Sequence, residues 1–188
     1  SPTHTLMGRF GNLLLVNGEP RYQLSVKRGE VVRFYLTNTS NTRTFNLSLP
    51  GARLKVVGSD AGPYAREAWV ESVVIGPAER YVVHARFDRP GRTALVNKVR
   101  GLDHLYGRFF AETDTLGIVD VGRGRPREDL SRSFDLLRTD TAAGEELAYN
   151  DPHIPELPTM RHYQLPAMTS QPLTPAWVGS QDCIVVAT

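Results

Sequence analysis

A single cysteine, Cys183, rules out any disulfide within the 188 residues, so cysteine pairing says nothing about the redox compartment. No apolar run approaches the roughly 18 residues that a membrane-spanning helix requires. Charge of one sign is missing too. The 22 Lys and Arg residues stand against 20 Asp and Glu and alternate with them, and a net charge of +2 does not make the basic stripe of a nucleic-acid-binding protein. The five histidines, His4, His84, His104, His153 and His162, are isolated, and no two are separated by one residue. The nearest pair, His153 and His162, is split by Pro155 and Pro158, so neither helical nor strand spacing brings two imidazoles onto one face. There is no Gly-x-Ser-x-Gly elbow and no phosphate-cradling Gly loop, and Cys183 has no adjacent basic group to activate it. No repeat of solenoid period occurs.

What is present is a series of short strand signals. Between Gly11 and Phe87, at least five runs of β-branched, aromatic and leucine residues are closed by turn chemistry at Asn17-Gly18, Arg28-Gly29, Asn38 to Asn41, Pro50-Gly51 and Gly76-Pro77. Short, regularly punctuated strands predict an all-β sandwich or barrel. Period-two alternation assigns the faces. Val32, Phe34 and Leu36 point inward while Arg33, Tyr35 and Thr37 point outward; Phe45, Leu47 and Leu49 form a second inward set. Tyr81, Val83, Ala85 and Phe87 form a third, leaving Val82, His84 and Arg86 outward. An apolar content of 40% suffices for one core, either one large β-domain or one domain with a tail.

The polar turns read as structural. Asn38 to Thr42 carries side chains that bond their own backbone, and Asp60, flanked by glycines with no carboxylate or histidine near it in sequence, reads as a turn cap rather than a general acid or base. Glu79-Arg80 predicts a local ion pair at the rim. Residues 100–110, RGLDHLYGRFF, read as a Gly- and aromatic-rich loop, and Leu116 to Val121 as the last convincing strand. Arg123, Arg125, Arg127 and Arg132, interrupted by Glu128 and Asp129, predict a solvated linker. Thr141 to Tyr149 could form one helical turn; six prolines between Asp151 and Pro175 forbid regular structure over most of that span, and Met160 to Leu165 could add an edge strand.

Several of these segments resemble one family. Met7-Gly8-Arg9-Phe10-Gly11 with Leu13 to Gly18, then Arg33 to Asn38 with Ser40, Asn41 and Arg43, look like the opening of the middle domain of three-domain multicopper oxidases, the laccase-like enzymes. Gly58-Ser59-Asp60-Ala61-Gly62 and Gly76-Pro77-Ala78-Glu79-Arg80 are similar to that domain's Asp-Gly and Pro-Gly-Glu-Arg turns, in the same order. Ala61 separates an Asp and a Gly that the family usually keeps adjacent, and Ala78 replaces a usual Gly, which predicts a turn with no positive φ at that position. The likeness covers Met7 to about Val121 and continues weakly through Ser133 to Arg138, which resembles the connector to the third domain.

The resemblance implies a cupredoxin-like Greek-key β-sandwich or barrel with an irregular Pro-rich C-terminal extension. It divides the chain into a linker at 1–6, a cupredoxin-like domain at 7–122, a connector at 123–160, and an extended tail at 161–188 that could start a following domain. It implies a periplasmic or secreted parent that takes single electrons from a reducing substrate at a blue copper and passes four to dioxygen at a trinuclear cluster. A blue-copper site needs two imidazoles and a thiolate, and the cluster needs His-x-His pairs and a His-Cys-His segment. Neither pattern occurs here, and no histidine or methionine follows Cys183. The expectation is therefore no catalytic, cofactor-binding or metal residue in this chain, copper in the parent, and flanking cupredoxin domains as partners. A copper-less exported scaffold of the same architecture is the alternative; an immunoglobulin-like domain lacks its Cys-Trp-Cys framework. Arg33, Tyr35, His84, Arg86 and the 100–110 loop mix aromatic and Arg character and are the surfaces neighbours would cover.

Overall fold

The computed structural model describes residues 11–103, 106–139 and 180–187, with 102–103 and 180–187 described by their backbone. Eleven strands among these form two sheets packed face to face. One sheet has the order β1 (Leu15–Val16), β11 (Ser180–Ala187), β3 (Val31–Asn38), β8 (Arg80–Phe87), β5 (Ala52–Ser59), β6 (Gly62–Val70). The other has the order β2 (Tyr22–Lys27), β10 (Arg108–Gly122), β9 (Gly91–Asp103), β4 (Phe45–Ser48), β7 (Val73–Ile75). The chain crosses between the sheets at nearly every connection, and only β5–β6 and β9–β10 are hairpins within a sheet.

The alternation read from the sequence gives the core. Val32, Phe34, Leu36, Phe45, Leu47, Leu49, Val83, Ala85 and Phe87 are all buried, and they join Leu54, Val73, Ile75, Leu95, Leu116 and Val119 between the two sheets. Asn17 and Gly18 both take positive φ, 53° and 81°, and Val16 and Glu19 exchange two backbone hydrogen bonds across them. That is the tight hairpin turn which Asn-Gly favours. Asn38 is fully buried at the other edge of the core. Its amide donates to the carbonyls of Arg43 (2.8 Å) and Ile75 (2.9 Å) while its Oδ1 accepts from the Ser40 N–H and hydroxyl, so the polar turn is structural.

Ala78 departs from expectation. Its φ is +67°, so the Gly76 to Glu79 turn does require a left-handed residue, and an alanine occupies it. The turn is tied on three sides: the Ala78 N–H donates to the Asn38 carbonyl, Glu79 N–H to Gly76 O, and Gly76 N–H to Glu79 Oε2. These bonds over-determine a conformation that costs an L-residue about 1–2 kcal/mol. Ala78→Gly is expected to raise stability by about 0.5–1 kcal/mol, part of the relief being cancelled by the freer unfolded chain. Urea unfolding measures this, and a loss of stability would show that the turn stores no strain.

The predicted rim ion pair also changes partner. Arg80, at the start of β8, pairs with Asp60 in the β5–β6 turn through both its backbone N–H and its Nε, while Glu79 closes its own turn. Burial pulls the Asp60 pKa upward, but the Arg80 hydrogen bonds and charge outweigh it and leave the carboxyl below its ordinary value. The expected loop at 100–110 is, at 100–103 and 108–110, paired strand of the long β9–β10 hairpin, and β10 extends the strand expected at 116–121 back to Arg108. The last eight described residues form β11, parallel to β3 and antiparallel to β1, so this part of the expected tail lies inside the sheet. The expected helical turn at 141–149 and edge strand at 160–165 fall outside the described residues.

Candidate functional site

The outward residues of β3 and β8 were expected to form a surface that neighbouring domains cover, yet on the outer face of β8, β5 and β6 three polar side chains are buried within the chain itself. Arg33, His84, Lys55 and Trp69 stand in register on four adjacent strands, and Glu67 lies two residues from Trp69 on the same face. His84 is 4% exposed, Lys55 2% and Glu67 4%. The cover is the connector. After the exposed Arg123, Arg125 and Arg127, it forms a short helix, α1 (Ser131–Asp135), whose Phe134 is buried against Trp69 in an edge-to-face contact at 5.1 Å. Arg53 stacks over Trp69, 4.7 Å from the ring centre, and pairs with Asp135 at 2.6 Å, so one cation closes the edge of the contact.

Under the helix, a buried ion pair fastens the connector. Lys55 Nζ donates to Glu67 Oε2 at 2.7 Å and to the Leu136 carbonyl at 2.9 Å, with the Ser133 carbonyl at 3.4 Å. It thereby caps carbonyls at the C-terminal end of α1, where the helix leaves acceptors without intrahelical partners. Glu67 in turn accepts from the Arg138 N–H at 3.1 Å and faces its Nε at 3.3 Å, while the Glu67 N–H donates to the Arg138 carbonyl. A bridge between Arg66 and Thr139 extends this backbone docking.

His84 sits beside the pair and is not outward-facing in the sense expected. It occupies the outer face of its strand, but the connector buries it. Its Nε2 accepts from Arg33 Nε at 2.9 Å, which places the neutral ring's proton on Nδ1. Burial, followed by the charges of Arg33, Lys55 and Arg138, pushes its pKa from 6.5 down to about 3. Between these values the unfolded chain binds a proton that the folded chain does not, so this contribution to stability is full above pH 6.5 and is lost as pH falls towards 3. Acidification from pH 6 to pH 5 is therefore expected to cost about 1 kcal/mol through this group, near the limit for one proton. His84→Gln should flatten the profile in that window when urea midpoints are compared. An unchanged slope would show that His84 titrates normally.

The copper implied by the resemblance does not find its donors among the described residues. No three His, Cys, Asp or Glu side chains there converge on a point. His84 is the one histidine described; cations surround it and its Nε2 accepts a hydrogen bond from Arg33. Cys183 lies on β11 in register with Tyr35 and, one strand further, Val82. The other histidines fall outside the described residues.

A second surface is the hairpin tip. Beyond the Leu47–Asn97 pairing no third strand among the described residues flanks β9, and β2 meets β10 only from Gly117 onward, so residues 98–103 and 108–113 form a two-stranded arm. Tyr106 is 71% exposed, Phe109 70% and Phe110 50%. The Phe110 ring lies over Gly101, its register partner, where any β-carbon would collide with it. The root of the arm is polar and fixed: Arg43 pairs with Glu112 at 2.8 Å, and Asn97 donates to Asp114 at 3.1 Å. The sequence pointed to the arm's aromatics but not to Lys55 or Glu67. The available signal was the apolar set Leu130, Phe134, Leu136 and Leu137 in a linker otherwise rich in charge.

The family model described as multicopper oxidase matches residues 3–118. The chain is 43% identical over 82 residues to a laccase of Bacillus subtilis, covering 43% of this chain and 16% of that one. It is 40% identical over 74 residues to the cell division protein FtsP of a Rahnella species, covering 39% and 16%. Among solved structures it resembles a bacterial laccase-like multi-copper oxidase, CueO, from an Ochrobactrum species, with a TM-score of 0.56 and 26% identity over 68% of this chain and 27% of that one. The chain thus spans less than a third of the length of each of these relatives.

Proposed function

Since this chain belongs to the multicopper oxidase family, we propose that it is a copper-free middle domain of a longer oxidase, whose role is to space and orient copper-bearing neighbours. The observation that carries this reading is the family match over residues 3–118, which takes in β1 to β9 and most of β10 and so spans both packed sheets. In this reading residues 1–6 are a linker, 7–122 the domain and 123–160 the connector, clamped in its first part to the outer face of the sheet. β11, paired with β1 and β3, is counted in this reading with the domain rather than with a following one. The parent would be periplasmic or secreted, and it would couple oxidation of a reducing substrate to reduction of dioxygen to water. No helix among the described residues is long and apolar enough to cross a membrane.

The arm supplies the contact to a neighbour. A two-stranded ribbon is marginally stable alone, and three exposed aromatics on one ribbon suit a surface that another domain covers. Of the residues first assigned to such a surface, Arg33 and His84 wall the cavity under the connector and Arg86 faces its Asp135 at 3.8 Å.

Copper loading tests the reading. The 188-residue chain is expected to show no intense thiolate-to-copper charge-transfer band, whereas the parent bearing both flanking domains is expected to bind copper and consume dioxygen with a reducing substrate. An intense band in the 188-residue chain, lost in Cys183→Ser, would overturn it. A second reading, a copper-less exported scaffold, is favoured by the relative that carries the name of a cell division protein. A parent that folds and binds no copper would select it.

A further inference from the structure

We propose that the open edge of β9 on the arm is a strand-addition site, completed by an extended acidic segment of a flanking domain of the parent that pairs with residues 98–102. The edge is left open by a fork in the sheet. β4 pairs with β9 at Ser48–Val96 and Leu47–Asn97, and there the backbone ladder stops. Two side-chain amides take the bonds that would continue it: the Asn46 N–H donates to Asn97 Oδ1 at 2.9 Å, and Asn46 Nδ2 donates to the Lys98 carbonyl at 3.0 Å. Since the Lys98 carbonyl points to the β4 side, alternation along an antiparallel strand points the N–H and C=O of Arg100 and Leu102 the same way, while those of Val99 and Gly101 face β10. Beyond the fork lies an open groove of about 770 Å³, lined by Asn46 and Val74 of the sheet and by residues 98–101 of the arm. No described strand pairs with Arg100 or Leu102 from that side.

The charge on this edge selects the occupant. Lys98 and Arg100 are both exposed and stand on the face of the strand opposite the buried Leu95 and Asn97, and their partners across β10, Thr113 and Ala111, carry no charge. Neither cation enters an ion pair among the described residues. A strand laid along β9 places its own side chains beside them at the same spacing, so carboxylates at alternate positions would meet both. A second copy of this chain fits badly. Two such edges paired about a two-fold axis would set Arg100 opposite Lys98 or Arg100, and like charges directly opposed are destabilising. The flanking domain as source rests on the reading of the arm as a domain contact, in a parent of which this chain, like its share of the relatives above, is less than a third. A third strand would convert a marginal ribbon into a stable sheet and close an edge that otherwise invites unspecific pairing.

The site is tested by titrating the 188-residue chain with a short end-blocked peptide that alternates Glu and Val, reading amide hydrogen exchange at residues 98–102. Saturable binding is expected, with slower exchange at Arg100 and Leu102 and little change at Val99 and Gly101, which β10 already protects. Replacing both cations, Lys98→Thr with Arg100→Thr, should weaken binding at least about threefold, the worth of two cross-strand ion pairs. Arg100→Pro removes the outward N–H and no bond to β10, so it should weaken binding more than Arg100→Thr while the arm stays paired. Arg92→Thr, whose partner Asp120 lies at the other end of the hairpin, should leave it unchanged. In the parent bearing both flanking domains, the Arg100 amide should be protected without peptide, and the peptide should not bind. No saturable binding, equal binding of a peptide with Lys in place of Glu, exchange slowed equally at Val99 and Arg100, equal weakening by Arg92→Thr, or a parent whose Arg100 amide exchanges as fast as in the 188-residue chain would each overturn the proposal. None of these readouts involves copper, so the copper test of the parent stands or fails separately.

Discussion

Replacing Lys55 by methionine is expected to cost about 3–5 kcal/mol, the usual penalty for leaving one member of a buried ion pair without its partner. The methionine keeps most of the side-chain volume, so the loss is electrostatic rather than a cavity effect. Glu67, 4% exposed, would be left facing only Arg138, and the Leu136 carbonyl at the end of α1 would lose its donor. Glu67→Leu should cost a similar amount for the converse reason. The double substitution should cost less than the sum of the two, because a paired loss leaves no isolated charge. Urea unfolding of the four chains measures the coupling. The single variants should also speed amide exchange at residues 131–138 more than at 31–36, since the clamp holds the connector and the core holds the sheet. Additive costs with unchanged connector exchange would show that Lys55 and Glu67 are solvated and independent.

The contrast between the core and this clamp explains how much the sequence disclosed. Inward residues of β3, β4 and β8 were legible because alternation is a local signal and one face of each strand is committed to the core. The turn at Asn17-Gly18 was legible because Asn-Gly takes positive φ readily, and that at Asn38 to Ser40 because its side chains act on their own backbone. Burial of His84 was not, since the connector that lies over this face comes about fifty residues later in the chain, and nothing in the alternation of β8 says that both faces will be covered. Lys55 was hidden for the same reason: a lysine between Leu54 and Val56 reads as an ordinary solvent-facing residue until its partner across the β5–β6 hairpin is placed. The φ of Ala78 was misread from residue type, because the bond from its N–H to the Asn38 carbonyl comes from the tertiary fold. The parallel pairing of β11 with β3 joins segments about 150 residues apart in sequence and leaves no local trace.

Phe34→Ala should destabilise the fold by about 3–5 kcal/mol, and Tyr35→Ala by much less, although the two residues are neighbours on one strand. Phe34 is 2% exposed and sits at the centre of β3, paired with Val83 and facing Leu47, Leu49 and Leu95 of the opposite sheet. These side chains already border a gap of about 20 Å³, so a further large void would open in a place that two hydrogen-bonded sheets cannot close by moving together. Tyr35 lies on the outer face and is half-buried, paired with Val82 and with Cys183 of β11. Its truncation removes contact on a surface that water can refill. The comparison is internally controlled: both variants lose an aromatic ring from the same strand, so backbone propensity nearly cancels and the difference reports which face is core. Equilibrium unfolding in urea, with equal slopes for the two variants, would give the difference directly. A larger loss from Tyr35→Ala would mean that β3 is shifted by one residue, which would turn Arg33 into the core and undo the pairing of Arg33 with His84 on which the connector site depends.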